Sequence, residues 1–107
     1  MDLYHSTDCF GISELRPDKA RMRELIDLLD DPEIDAAEHP DISLTHDVSG
    51  WSITLYPSGV ATLENLESAE SETRYLAELT RAHALELWLL LAAGNIDALH
   101  AKAWRTD

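Results

Sequence analysis

Apolar residues in the first third of the chain recur with the spacing of a helix. Four of them stand at i, i+3, i+4 and i+7: Met22, Leu25, Ile26 and Leu29. This spacing predicts one apolar stripe on an amphipathic helix. Pro17 fits its first turn, where the missing N–H is not needed. Pro32 is expected to end it, since the residue before a proline avoids helical backbone angles. Residues 31–40 are then predicted to be an acidic linker.

From residue 42 the pattern changes to alternation. The apolar phase comprises Ile42, Leu44, His46, Trp51, Ile53 and Leu55. The polar phase comprises Ser43, Thr45, Asp47, Ser52, Thr54 and Tyr56. Alternation of this kind predicts two half-buried strands, separated by a turn at residues 48–50. A second turn at Pro57, Ser58 and Gly59 predicts a hairpin that returns through residues 60–66. Residues 74–79 fit a fourth strand or a pre-helical segment, and their alternation favours the strand.

The last third predicts a second helix. Thr80 is a suitable N-cap, and Gly94 permits the left-handed conformation that ends a helix. Asn95 is expected to cap one further turn. Because the helix over residues 81–93 is apolar nearly all round, it must be covered on more than one side. The first helix, the C-terminal turn and Trp104 are one expected cover. A second copy of the chain, packed on Leu87, Trp88 and Leu91, is the alternative.

These elements predict one domain, residues 1–107, of the α+β class. The expected architecture is an antiparallel sheet of three to four strands with two main helices packed against it. Residues 1–15 are expected to be irregular or weakly extended. The longest apolar run, residues 87–93, is too short for a membrane span. A lone cysteine, Cys9, and the lack of an apolar leader predict a cytoplasmic protein.

The distribution of charge adds a prediction about the surface of this fold. The 107 residues carry 21 acids and 8 bases, a formal net charge of −13. Such a balance argues against binding to nucleic acids or anionic lipid. Residues 24–73 hold thirteen of the acids and neither Lys nor Arg. A one-signed patch raises the association rate with an oppositely charged partner. A solvated segment that keeps the protein soluble is the alternative.

The acidic stretch, residues 27–41, is the densest part of this region. We predict that it binds a basic protein together with Trp51, the aromatic residue expected to be half-exposed. The predicted binding residues are Asp27, Asp30, Asp31, Glu33, Asp35, Glu38, Asp41 and Trp51.

Other candidate chemistry is weaker. His5, Asp8 and Cys9 lie close in sequence, but a zinc site needs three or four protein ligands and no C-x-x-C or H-x-x-x-H pattern accompanies them. His46 falls in the apolar phase of its strand, which favours a hydrogen-bonded, partly buried histidine. Neither a nucleophile elbow nor a phosphate loop is present. The sequence therefore predicts no catalytic residue, no metal site and no cofactor.

Several runs of the chain resemble small acidic cytosolic bacterial proteins of the immunity type, which accompany contact-delivered toxins. The runs are Ser49-Gly50-Trp51-Ser52-Ile53, Tyr56-Pro57-Ser58-Gly59, Leu63-Glu64-Asn65-Leu66, Leu87-Trp88-Leu89-Leu90-Leu91-Ala92-Ala93-Gly94-Asn95-Ile96-Asp97 and Trp104. The resemblance implies a protein that binds and inhibits a toxin enzyme and performs no chemistry itself. It carries over no binding residue.

Three functional hypotheses follow. The first is an immunity-type inhibitor of a basic, nuclease-type toxin, whose cleft is basic because it holds phosphate. The second is a nucleic-acid mimic of the antirestriction or anti-CRISPR kind, which needs carboxylates spaced along an extended face. The third is a small homodimeric structural or regulatory protein.

Overall fold

Strands and helices occupy separate blocks of the chain, of which the computed structural model describes residues 3–35, 40–67 and 73–105. The strands are β1 (Tyr4–Thr7), β2 (Ser13–Leu15), β3 (Ile42–His46), β4 (Trp51–Leu55), β5 (Ala61–Asn65) and β6 (Arg74–Leu76). The helices are α1 (Lys19–Asp27), α2 (Pro32–Asp35), α3 (Arg81–Ala92) and α4 (Ile96–His100), with a 3-10 turn at Leu28–Asp30. The α+β class is therefore confirmed.

Side-chain caps begin the two long helices. Asp18 Oδ1 accepts the Arg21 N–H at 2.8 Å before α1. Thr80 Oγ1 accepts the His83 N–H at 3.1 Å before α3, as predicted. These bonds satisfy backbone donors that have no partner within the helix. Pro17 precedes the cap of α1, so its expected place inside the first turn is wrong.

The segment after α1 contains more structure than the linker that was expected. Asp31 has extended backbone, with ψ 122°, and stops the 3-10 turn. Pro32 then begins α2, because proline fits the first position of a helix. The linker prediction is therefore wrong for residues 32–35, and residues 36–39 lie outside the described part.

The N-terminal residues form a hairpin, where an irregular or weakly extended segment was expected. The Asp8 carboxylate oxygen Oδ1 accepts the N–H groups of Phe10 at 2.9 Å and Ile12 at 3.0 Å. These bonds close the loop between β1 and β2, and Gly11 supplies the positive φ of 77° that the loop needs. The strands were missed because they are only four and three residues long.

All six strands form one antiparallel sheet in the order β2-β1-β3-β4-β5-β6. The predicted three to four strands are thus too few, since the hairpin β1–β2 adds two. The predicted hairpin across Pro57, Ser58 and Gly59 is confirmed as β4–β5. The strand prediction for residues 74–79 is confirmed only for Arg74–Leu76.

The sheet has two different faces. The covered face carries the apolar phase of the strands against the helices, with Ile42, Leu44, Ile53 and Leu63 at 0% exposure. The open face carries the other phase. Its residues are His5, Thr7, Ser13, Leu15, Ser43, Thr45, Ser52, Thr54, Thr62, Glu64 and Tyr75.

The buried side of helix α3 is covered by its own chain. It packs against α1, α4 and the strands β3 and β4. As a result Leu87 is 3% exposed, and Trp88 and Leu91 are fully buried. The three side chains expected to form a dimer contact are therefore unavailable to a second subunit in this fold. The Trp88 indole N–H has no hydrogen-bond partner among the described residues.

Candidate functional site

The acidic stretch does not form one patch. Asp27 lies on the wall of a groove of about 410 Å³ between α1 and α3. Asp30 is held by Arg81, whose guanidinium nitrogen lies 2.9 Å from a carboxylate oxygen of Asp30. Arg81 also donates a hydrogen bond to the Pro57 carbonyl at 3.0 Å. Asp27 and Asp30, three residues apart in the chain, thus have different surroundings.

The later acids of the stretch follow α2 toward β3. Asp31 Oδ1 accepts the Glu33 N–H at 2.9 Å, so this carboxylate is the cap of α2. Asp35 is the last residue of α2, and Glu38 lies outside the described residues. Asp41 comes directly before β3 and shares the alternation phase of Ser43. It is therefore the acid of the stretch that the strand geometry brings to the open face.

Trp51 is separated from the acidic stretch. Ile42, next to Asp41, pairs with Leu55 at the far end of β4 from Trp51. These two ends of β4 are four residue steps apart, each with a rise of about 3.3 Å. The Trp51 ring meets the His100 ring edge-on, with 4.7 Å between centroids and an angle of 82°. Trp51 is half-buried, as expected, but it packs against α4 and does not adjoin the predicted binding acids.

Short hydroxyl side chains line the centre of the open face. Thr45, Ser52 and Thr54 are only 8%, 3% and 9% exposed. The Thr45 and Ser52 hydroxyls form a hydrogen bond of 3.0 Å across β3 and β4. The centre of this face is therefore made of small side chains that are largely buried, and its accessible groups lie around them.

Charged groups on the open face are predominantly acidic. Glu64 lies opposite Ser52 in the register. Asp41 and Asp47 precede and follow β3 in the phase of the open face. Asp47 faces His5, whose Nδ1 is 2.9 Å and 3.0 Å from the two carboxylate oxygens. Among the described Lys and Arg residues, the register places only Arg105 on this face, beside Tyr75 at the β6 edge.

Tyr56 responds to this negative charge. Burial raises the pKa of its phenol above the ordinary value, and the charges of Asp41 and Glu64 raise it further. A hydrogen bond from the side chain of Thr62 acts in the opposite direction. Both carboxylates therefore act on the same region of the open face, although Asp41 precedes β3 and Glu64 lies in β5.

One end of the open face contains a depression, the Phe10 hollow, of about 340 Å³. Its lining residues are Thr7, Asp8, Cys9, Phe10, Gly11, Asp41 and Ser43. Burial raises the pKa of the Cys9 thiol, and the negative charge of Asp8, Asp31 and Asp41 raises it further. Asp8 of the hairpin loop and Asp41, which precedes β3, thus both line the hollow.

His46 and His5 each have a polar partner within the chain. The Nδ1 atom of His46 lies 2.7 Å from Ser49 Oγ, which confirms the expected hydrogen-bonded histidine, and at 3% exposure the residue is more deeply buried than expected. His5 faces Asp47 on the open face, whereas Asp8 closes the hairpin loop. Within residues 3–35, 40–67 and 73–105 there is no group of three or more potential ligand side chains arranged to hold a metal ion.

Sequence reasoning missed the role of Asp8 and Phe10, which lie more than thirty residues before Asp41 and Ser43 in the chain. The pairing of β1 with β3 brings them together. The sequence did contain one signal for this site. The polar phase of β3 and β4 identified the hydroxyl residues of the open face.

No helix in the described part of the chain has the length and apolar content needed to cross a membrane. Comparison of the chain with protein-family models, with curated proteins and with solved structures found no match.

Proposed function

We propose that this chain is a non-enzymatic binding module for a basic protein, and that it acts as an immunity-type inhibitor of a basic toxin enzyme. The observation that carries the proposal is the pairing of charges. Arg21 is engaged by Glu14 and Glu24, and Arg81 by Asp30. The few bases of the chain are thus partly neutralised by nearby acids.

A second group of carboxylates has no Lys or Arg within ion-pair distance in the described part of the chain. It includes Asp27, Asp31, Glu33, Asp41, Glu64 and Glu67. Carboxylates that no Lys or Arg of their own chain engages can pair with the cations of another molecule. Close charge pairs across a protein interface contribute roughly 1.5–7 kcal/mol of coupling energy.

The proposed inhibition of the toxin depends on the position of its cationic side chains. A nuclease-type toxin holds phosphate in a basic cleft, so a carboxylate surface that pairs with those cations occupies the substrate's place. The same charge repels nucleic acid, so the inhibitor does not compete with its own target for the substrate.

The nucleic-acid mimic is less well supported. Phosphates follow one another along a duplex at a regular spacing of a few ångströms. The described acids instead divide between the α1–α3 groove, the end of α2 and the open face. Hydroxyl side chains separate the acids on the open face, which is unlike a continuous phosphate row.

The test is complex formation with the protein encoded directly upstream of this chain. Calorimetry with the purified pair is expected to show a saturable complex with a basic protein. The association rate should fall at least about tenfold between about 50 and 500 mM salt. No complex at about 50 mM salt, or no protection of cells that express the upstream protein, would overturn the proposal.

A matched pair of variants separates unpaired from paired carboxylates. Asp27→Asn with Glu33→Gln removes two charges that have no Lys or Arg partner in the described part of the chain. Glu14→Gln with Glu24→Gln removes two charges that Arg21 already engages. The first pair is expected to slow association more than the second. Equal effects would mean that net charge alone drives binding.

A further inference from the structure

Exposed apolar side chains gather around one edge of the sheet. Leu3, Phe10, Ile12 and Leu15 are 46%, 69%, 63% and 65% exposed. All four belong to the β1–β2 hairpin or the residue just before it, and the described part of the chain exposes only two other large apolar side chains to this degree. Apolar groups concentrated on one element mark an interaction surface.

These apolar groups adjoin the open face. Leu15 lies on it, next to His5 in the register. Phe10 lines the hollow at its end. The surface therefore combines an apolar margin, acidic groups and a largely buried centre of short hydroxyl side chains. Protein interfaces commonly combine aromatic anchors with polar groups in this way.

The Phe10 hollow has the chemistry of a receptor for a cationic side chain. Asp8 and Asp41 supply carboxylates, and Thr7 and Ser43 supply hydroxyl oxygens that can accept hydrogen bonds. An aromatic ring favours a cation held over its face and also packs against the methylene groups of Lys or Arg. Because the backbone N–H groups of Phe10 and Ile12 hold Asp8 Oδ1, this carboxylate is already oriented.

We infer that the open face is the docking surface for the basic protein, and that the Phe10 hollow receives a Lys or Arg side chain of that partner. This inference rests on the proposed function and gives it a location. The sequence predicted binding along the whole acidic stretch, whereas this inference places it at Asp41, the one acid of the stretch assigned to the open face.

A second copy of the chain fits this surface poorly. An isologous contact would bring Asp41 and Glu64 of one copy toward the same acidic face of the other, and like charges in an interface repel. The partner that complements the surface has cations surrounded by apolar groups.

The experiment uses the full chain, labelled with nitrogen-15, and a defined probe. The probe is an acetylated and amidated peptide of sequence Arg-Leu-Arg-Leu-Arg, and its Glu-Leu-Glu-Leu-Glu counterpart is the control. At about 20 mM salt, where charge screening is weak, we expect the largest amide shifts at Thr7, Phe10 and Ser43. The acidic control peptide should leave these amides unchanged.

Two single variants test the hollow against a matched control. Phe10→Ala and Asp41→Asn are each expected to weaken peptide binding about fivefold or more, as for central interface residues. Glu33→Gln removes the same charge as Asp41→Asn but at an exposed site in α2, and it should weaken binding less than twofold. Circular dichroism melting curves verify that each variant is folded.

The outcomes separate this inference from the proposed function. Peptide shifts centred on Asp27 and Glu33, equal effects of Asp41→Asn and Glu33→Gln, or no peptide binding would overturn the docking surface. So would sedimentation that shows a dimer formed through the open face. Each of these results leaves the complex with the upstream protein intact, whereas loss of that complex overturns the proposed function itself.

Discussion

The covered and open faces are built from the same strands, yet they differ in what surrounds them. In β3, Ile42 and Leu44 are fully buried beneath the helices, whereas Ser43 between them lies half-buried on the other side. Along β4, Ile53 faces the core and Thr54 faces outward. The comparison shows that alternation assigns residues to a face, and that the packing of α1 and α3 decides which face becomes the core.

The largest expected effect contrasts adjacent residues of β4. Ile53→Ala leaves a cavity in the covered face and should lower the free energy of unfolding by about 2–5 kcal/mol. Thr54→Ala changes the open face and should lower it by about 1 kcal/mol or less. Urea denaturation of both variants measures the difference. Equal losses would show that the two faces are packed alike.

Gly50 controls the register on which the two faces depend. Its φ is +80°, and a Cβ there would lie 2.8 Å from both Asn65 Oδ1 and Glu67 Cγ. Gly50→Ala should therefore lower the free energy of unfolding by about 1–3 kcal/mol. A shift of one residue between β3 and β4 would exchange the faces. Gly11→Ala is the comparison, since its Cβ would meet no atom within 4 Å and φ strain alone remains.

The hydroxyl pair of the open face is expected to contribute less. A double-mutant cycle with Thr45→Val and Ser52→Ala measures the hydrogen bond between the two side chains, which we expect to contribute about 1 kcal/mol. A coupling energy indistinguishable from zero would indicate that the pair is fully compensated by water. In that case the centre of the open face would be more hydrated than its low exposure indicates.

The smallest expected effect is electrostatic. Absorbance titration should place the pKa of Tyr56 above the ordinary 10.0. Asp41→Asn should lower that pKa, because one of the negative charges that oppose ionisation is removed. In the unfolded chain the phenol ionises near its ordinary pKa. The free energy of unfolding should therefore decrease as pH rises above about 10, until the folded-state pKa is passed.

Tyr56→Phe is the control for this titration, since it should remove the pH-dependent loss at this site. A pKa of Tyr56 that does not respond to Asp41→Asn would contradict the convergence of charge on the open face. It would leave the difference in packing between the two faces unaffected.

Periodicity allowed part of the fold to be predicted. The stripe of Met22, Leu25, Ile26 and Leu29 is buried at 1–2% exposure, as an amphipathic helix requires. The β4–β5 hairpin and the N-cap at Thr80 were also evident, because turn and cap preferences depend on a few neighbouring residues. Signals of this kind are local, and the sequence contains them in full.

The β1–β2 hairpin was not predicted because its strands are too short for a pattern to accumulate. Its stability depends on pairing with β3, more than thirty residues away. The same pairing assembles the Phe10 hollow from two distant segments. Residues that meet only through long-range pairing leave no spacing that can be read along the chain.

The sequence by itself determined the alternation that sorts residues onto two faces, the helical stripe, the caps and the excess of negative charge. Only the tertiary structure decided that Asp30 pairs with Arg81, that Trp88 is enclosed by its own chain, and that Asp41 adjoins Phe10. The physical reason is range: helix and turn preferences depend on near neighbours, whereas burial and charge pairing depend on which distant segments the fold brings into contact.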